Sequence, residues 1–210
     1  MSYNVTIQIL YGTTVYTSKV GTVAGTYTNS SGTSTTLSAT HGTTISVQHG
    51  GTVNLSTKTP VAGFAYSSGA GSYTITGATT IKVYFVASTS TSSSTLHYSS
   101  GTTTNTLSKN GFSVTCTINC TLSAVAANTS LATIPAAYRP ASAQTVSVTW
   151  TNTNYNNTTS ATITIGTDGS VKSNTASSGQ TTTSAGGGKW STGATITTTT
   201  YLNFSKTWSV

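Results

Sequence analysis

Thirteen consecutive residues alternate between apolar and polar without a break. Phe112, Val114, Cys116, Ile118, Cys120, Leu122 and Ala124 form one set, and Ser113, Thr115, Thr117, Asn119, Thr121 and Ser123 the other. A helix of that length would scatter both sets around its circumference. A strand sorts them onto two faces, because successive side chains point to opposite sides. The segment predicts one long strand, or two strands around a bend, with one dry face and one wet face. A chain committed to such an element must pair its edges and cover its dry face with more sheet.

The rest of the chain agrees with that demand. Hydrophobic residues make up 35% of the 210 residues, with eleven Tyr and three Trp, which argues against a disordered low-complexity chain. The polar filler is dominated by threonine, whose branched Cβ suits a pleated, half-exposed surface. The expected fold is all-β: two small antiparallel β-sandwich domains joined by a Ser/Thr linker. The first covers 1–87, with strand signals at residues 5–9, 13–16, 44–47, 52–55, 72–75 and 80–85 between turns such as His49-Gly50-Gly51. Residues 88–106 read as linker and lead-in, because the run 88–94 contains only Ser and Thr and offers nothing to bury. The second domain covers 107–210, with further strands expected at 145–150, 161–165, 170–172, 194–197 and 201–208. Asp168-Gly169 is the strongest hairpin signal in the chain.

No run of about 18 apolar residues is present, so membrane insertion is not expected. The opening Met1-Ser2-Tyr3-Asn4-Val5 lacks the basic and apolar regions of a signal peptide and reads at once as a strand. Production in a cytoplasm without a secretion signal is therefore expected.

Charge narrows the function. Asp168 is the only acidic side chain and Arg139 the only arginine. Glycoside hydrolysis normally needs two carboxylates, and hard cations need carboxylate oxygens. The chain is therefore expected to be displayed or to bind, with no catalytic residue, no metal and no cofactor. The net charge of +7 comes mainly from seven scattered lysines. They form no basic run, so no nucleic-acid partner is expected.

Cys116 and Cys120 lie about 13 Å apart along an extended strand, beyond the roughly 4.4–6.8 Å that a disulfide spans. They read as two buried thiols serving as small apolar residues, with an interchain bridge as the alternative. His41 and His49 sit at turn positions and His97 follows the expected linker; none has a catalytic or metal-binding signature around it. Two aromatic sites could stack on a sugar ring: Trp190, after the Gly186-Gly187-Gly188 run, and Tyr155 beside Asn154. Trp190 could equally be tucked into the core. Tyr, Asn, Gly and Ser are common in binding loops generally.

From Leu131 the chain reads Leu-Ala-Thr-Ile-Pro-Ala-Ala-Tyr-Arg-Pro-Ala-Ser, and from Ala161 it reads Ala-Thr-Ile-Thr-Ile-Gly-Thr-Asp-Gly-Ser-Val-Lys. This pair resembles C-terminal modules of bacteriophage fibre and baseplate proteins, over roughly residues 111–201. Residues 73–85 resemble the closing hairpin of immunoglobulin-like repeats in bacterial and phage surface proteins. The fibre resemblance implies a β-sandwich, a homotrimer, display on the virion surface among other virion proteins, and binding to host-surface carbohydrate. Within the motif, Pro135 and Pro140 stiffen a crossover between strands. Arg139 is expected to hold backbone carbonyls or a carboxylate, with ligand contact as the alternative. Asp168 is expected to cap its own turn ahead of Gly169.

Overall fold

The structure, a computed structural model, describes residues 1–15, 19–122, 130–152, 157–174 and 200–210. The described residues are all-β apart from one short 3₁₀ turn, and they divide into two compact units, Met1–Ser90 and Thr91–Val210.

Unit 1 contains nine strands: β1 (Ser2–Tyr11), β2 (Thr14–Val15), β3 (Gly21–Thr28), β4 (Ser34–Ala39), β5 (Thr44–Gln48), β6 (Thr52–Pro60), β7 (Phe64–Ser68), β8 (Ser72–Thr74) and β9 (Thr79–Ala87). They form two sheets. One runs β2-β1-β9-β7 with β5 also on β1, and the other runs β4-β3-β6-β8. Val5, Ile7 and Ile9 of β1 and Ile81, Val83 and Phe85 of β9 are buried on one face of the first sheet. Val23, Leu37, Val53 and Leu55 are buried in the second. The two sheets meet closely at Gly21, where an added Cβ would run into the Phe85 ring.

The sheets are mostly antiparallel, as expected, with one parallel ladder. β1 pairs with β9 in parallel, from Val5 opposite Thr79 to Tyr11 opposite Phe85. Sequence alternation specifies which face a residue takes, and it carries no information on the direction of the neighbour.

Unit 2 has β10 (Thr89–Ser92, which straddles the division), β11 (Thr95–Leu96), β12 (Ser99–Asn110), β13 (Ser113–Leu122), β14 (Ser130–Thr133), β15 (Gln144–Asn152), β16 (Asn157–Ile165), β17 (Ser170–Asn174) and β18 (Thr200–Ser209). They follow one another in a single path, β10-β12-β13-β18-β15-β16-β17-β14-β11. Among the described residues the β15–β18 ladder is two residue pairs long. The dry faces of β12, β13 and β18 share one buried cluster with those of β14 to β17, so the path doubles back on itself around that short ladder. Within the alternating segment, 113–122 is β13, with Val114, Cys116, Ile118, Cys120 and Leu122 wholly buried, and 123–124 lie outside the described residues.

The stretch read as linker and lead-in, 88–106, is strand over most of its length. Ser94, expected to have nothing to gain from burial, is only 4% exposed. Its N–H and hydroxyl both donate to Asn105 Oδ1 (3.1 and 2.5 Å), and Asn105 Nδ2 donates back to its carbonyl (2.6 Å). A buried hydroxyl is tolerated when it is hydrogen-bonded, and here it is.

Candidate functional site

Of the predicted sugar-stacking residues, Trp190, Tyr155 and Asn154 all lie outside the described residues, as does the strand expected at 194–197. The strand ends flanking their segments are described. Leu122 of β13 registers with Thr200 of β18, Thr200 with Asn152 of β15, and Asn152 with Asn157 of β16. The four residues form one row across four strands, at one pole of unit 2.

The wet face of β12, β13 and β18 is a regular array of polar side chains. Register places Asn110, Ser113 and Ser209 in one row and Ser108, Thr115 and Thr207 in the next. Thr106, Thr117 and Ser205 follow, then Thr104, Asn119 and Asn203. Strands lie about 4.8 Å apart and alternate residues about 6.8 Å apart along a strand, so the grid covers roughly 10 by 20 Å. All twelve side chains are hydroxyls or amides, and none is charged. Some bond to one another: Thr115 Oγ1 lies 2.8 Å from Thr207 Oγ1, and Thr117 Oγ1 lies 3.0 Å from Ser205 Oγ. Asn119 Oδ1, on the middle strand in the last row, is buried and has no hydrogen-bond partner among the described residues. Hydroxyls both donate and accept, so the grid offers either role at most of its points. The alternation of β13 marks one third of this face; the part of β12 up to residue 106 reads as lead-in because Ser and Thr without an apolar partner carry no visible period.

Beside this sheet sits the crossover between β14 and β15. Pro135 precedes a 3₁₀ turn, Ala136–Tyr138, closed by Tyr138 N–H donating to the Pro135 carbonyl (2.9 Å). Four contacts fix it. Arg139 Nε donates to the Ile134 carbonyl at 3.1 Å. Ile134 N–H donates to the Gly169 carbonyl at 2.8 Å. Trp208 Nε1 donates to the Tyr138 carbonyl at 3.0 Å, and Lys109 Nζ donates to the Ala137 carbonyl at 2.9 Å. After the turn, Arg139 returns to extended geometry at the residue before Pro140 (φ −68°, ψ 143°). Lys109 is 4% exposed, and desolvation holds its pKa below the usual lysine value. Gly169 has a left-handed φ of +85°; a Cβ there would stand 2.5 Å from the Ile134 carbonyl oxygen and 2.6 Å from Arg139 Nε.

Asp168 turns to Ser170, whose N–H (2.9 Å) and hydroxyl (2.7 Å) both donate to Oδ1. The backbone and side-chain hydrogen bonds from Ser170 hold its carboxyl below the usual aspartate range. The only acid and the only arginine of the chain thus both serve loop geometry.

The histidines are spread apart. His41 Nδ1 accepts the Ile9 N–H (3.2 Å), His97 Nε2 bonds Thr133 Oγ1 (2.7 Å), and His49 packs edge-on to Tyr3. Among the described residues no three His, Cys, Asp or Glu side chains lie close enough to hold a metal. Both cysteines are free and buried, and desolvation pushes Cys116 up to about 12 and Cys120 up to about 11. A nucleophilic cysteine needs the opposite shift. No family model matches the chain, and no curated protein matches it either.

Proposed function

We propose that this chain is a bacteriophage structural protein, displayed on the virion surface as a fibre or spike, with unit 1 toward the particle and unit 2 outward. It acts by adhesion to host-surface glycan, as a homotrimer among other virion proteins, and not by catalysis. The observation that carries adhesion is the uncharged twelve-residue grid on β12, β13 and β18. Sugars present dense hydroxyls, and a surface of hydroxyls and amides can exchange hydrogen bonds with them without desolvating a charge. The commitment of Asp168 and Arg139 to loop contacts supports display over chemistry. The motif Ile134 to Pro140 with Ile165 to Val171 supports the phage assignment.

One observation favours a purely structural decoration protein: the grid hydroxyls partly satisfy one another, as at Thr115–Thr207. The two readings separate on immobilised host-surface polysaccharides. Adhesion expects the purified chain to bind, and the triple variant T106V/T117V/T207V, which keeps shape and removes hydroxyls, to lose binding while staying folded. Binding to none of the polysaccharides would leave the structural role; binding undiminished in the variant would move adhesion off this face.

A further inference from the structure

Sheet edges are points of unwanted pairing, and proteins commonly blunt them with short strands, bulges, charge or proline. Unit 1 blunts all of its described edges but one. β2 has two residues and β8 three. β7 carries a register break between Tyr66 and Ser68. β5 is bridged at Val47 by Asn29. The part of β6 beyond β8 carries Lys58 and Pro60.

β4 has none of these. It is terminal in its sheet and six residues long, and it pairs with β3 without a shift from Val23/Ala39 to Thr28/Ser34. It reads Ser-Thr-Thr-Leu-Ser-Ala, and no Lys, Arg, Asp or Glu occurs from Val20 to Thr57.

The hairpin bond tells which of its backbone groups face outward. Asn29 N–H donates to the Thr33 carbonyl at 2.9 Å, so that pair is hydrogen-bonded. Hydrogen-bonded pairs alternate along an antiparallel ladder. Thr35, Leu37 and Ala39 therefore bond β3, while Ser34, Thr36 and Ser38 turn their N–H and C=O groups to the open edge.

We infer that β4 pairs antiparallel with β4 of a second copy of this chain about a two-fold axis. The segment is self-complementary in that arrangement. With Leu37 opposite Leu37 of the second copy, Thr36 and Ser38 form reciprocal hydrogen-bonded pairs, hydroxyl beside hydroxyl on the solvent face. Buried Leu37 and Ala39 continue one apolar face across the joint. A closed, isologous contact follows, because each edge is used once. The pairing is independent of glycan adhesion and of any assembly through unit 2.

The test is mass by light scattering on the full chain over a range of concentrations. T36K/S38K places lysines from both copies side by side at exposed positions. N54K on interior strand β6 controls for added charge. S38P removes an N–H that points only outward, and gives a second route to the same loss. The expected result is that the assembly mass halves in T36K/S38K and in S38P, with far-UV spectra unchanged, and stays whole in N54K. Equal mass in wild type and both edge variants, whether monomer or higher assembly, overturns the pairing.

Discussion

Raising the pH should destabilise unit 2 through its two cysteines. Cys116 and Cys120 are wholly buried on the dry face of β13. In the unfolded chain a thiol releases its proton near 9.0; in the folded chain desolvation defers release to about 12 for Cys116 and about 11 for Cys120. Between those values the unfolded state binds fewer protons than the folded one, so stability falls as pH rises. Between about pH 7.5 and 9.5 the loss is about 0.8 kcal/mol per thiol, or about 1.6 kcal/mol for both. Lys109 acts in the other sense: its folded pKa is lowered, so its contribution rises with pH toward 10.5. A C116A/C120A variant keeps Lys109 and removes the thiols, so the difference in slope between the two proteins isolates them. The assay is urea unfolding under reducing conditions, read by tryptophan fluorescence. All three tryptophans fall in unit 2, and Trp208 is 4% exposed. The wild-type midpoint should fall by on the order of 1 M relative to the variant over that pH interval. Equal slopes in the two proteins would refute the argument that desolvation of these thiols weakens unit 2 at alkaline pH.

Three further outcomes follow from the same packing. Neither cysteine should react with a thiol reagent until unit 2 unfolds, so the labelling rate should rise with urea together with the fluorescence change; fast labelling in native buffer would contradict their burial. His41→Ala should cost about 1–2 kcal/mol in unit 1, because the Ile9 N–H loses its acceptor inside the sheet; an unchanged urea midpoint for unit 1, read by tyrosine-region or far-UV circular dichroism, would show that the bond contributes nothing. Gly169→Ala should cost about 2 kcal/mol or more, combining left-handed strain with a clash against the Ile134 carbonyl and Arg139. Restored stability on adding Arg139→Ala to Gly169→Ala would identify the guanidinium as the obstacle.

The all-β class was legible because apolar residues repeat at period two wherever a strand covers the core, as in β13 and in β9. Strands that lack that period went unread. β4 has Leu37 and Ala39 alone on its buried side, and β12 is almost continuous Ser, Thr and Asn. Their pairing rests on backbone hydrogen bonds and on threonine's preference for extended geometry, neither of which leaves a periodic mark. Ser94 and Asn105 show the same blindness from the other side: a buried polar pair looks like linker until its partner is placed. One third of the wet face was visible in the alternation of β13. Its extension over β12 and β18 depends on register, which joins residues as distant as Thr115 and Thr207. Lys109 in the core had no signal at all, since a lone lysine in a polar stretch reads as solvated.

The parallel ladder between the first and last strands of unit 1 has a mechanical meaning. Chain direction is the same in β1 and β9, so pulling the two ends of the unit apart drags these strands past each other along their length. Every bond from Val5/Thr79 to Tyr11/Phe85 then carries load together, and the facing pairs Ile7/Ile81 and Ile9/Val83 must slide within the core. An antiparallel pair of terminal strands would instead peel open one rung at a time. Each additional net hydrogen bond of about 1 kcal/mol broken in the same event slows rupture several-fold. The topology therefore makes unit 1 strongest when it is pulled along the line through its two chain ends.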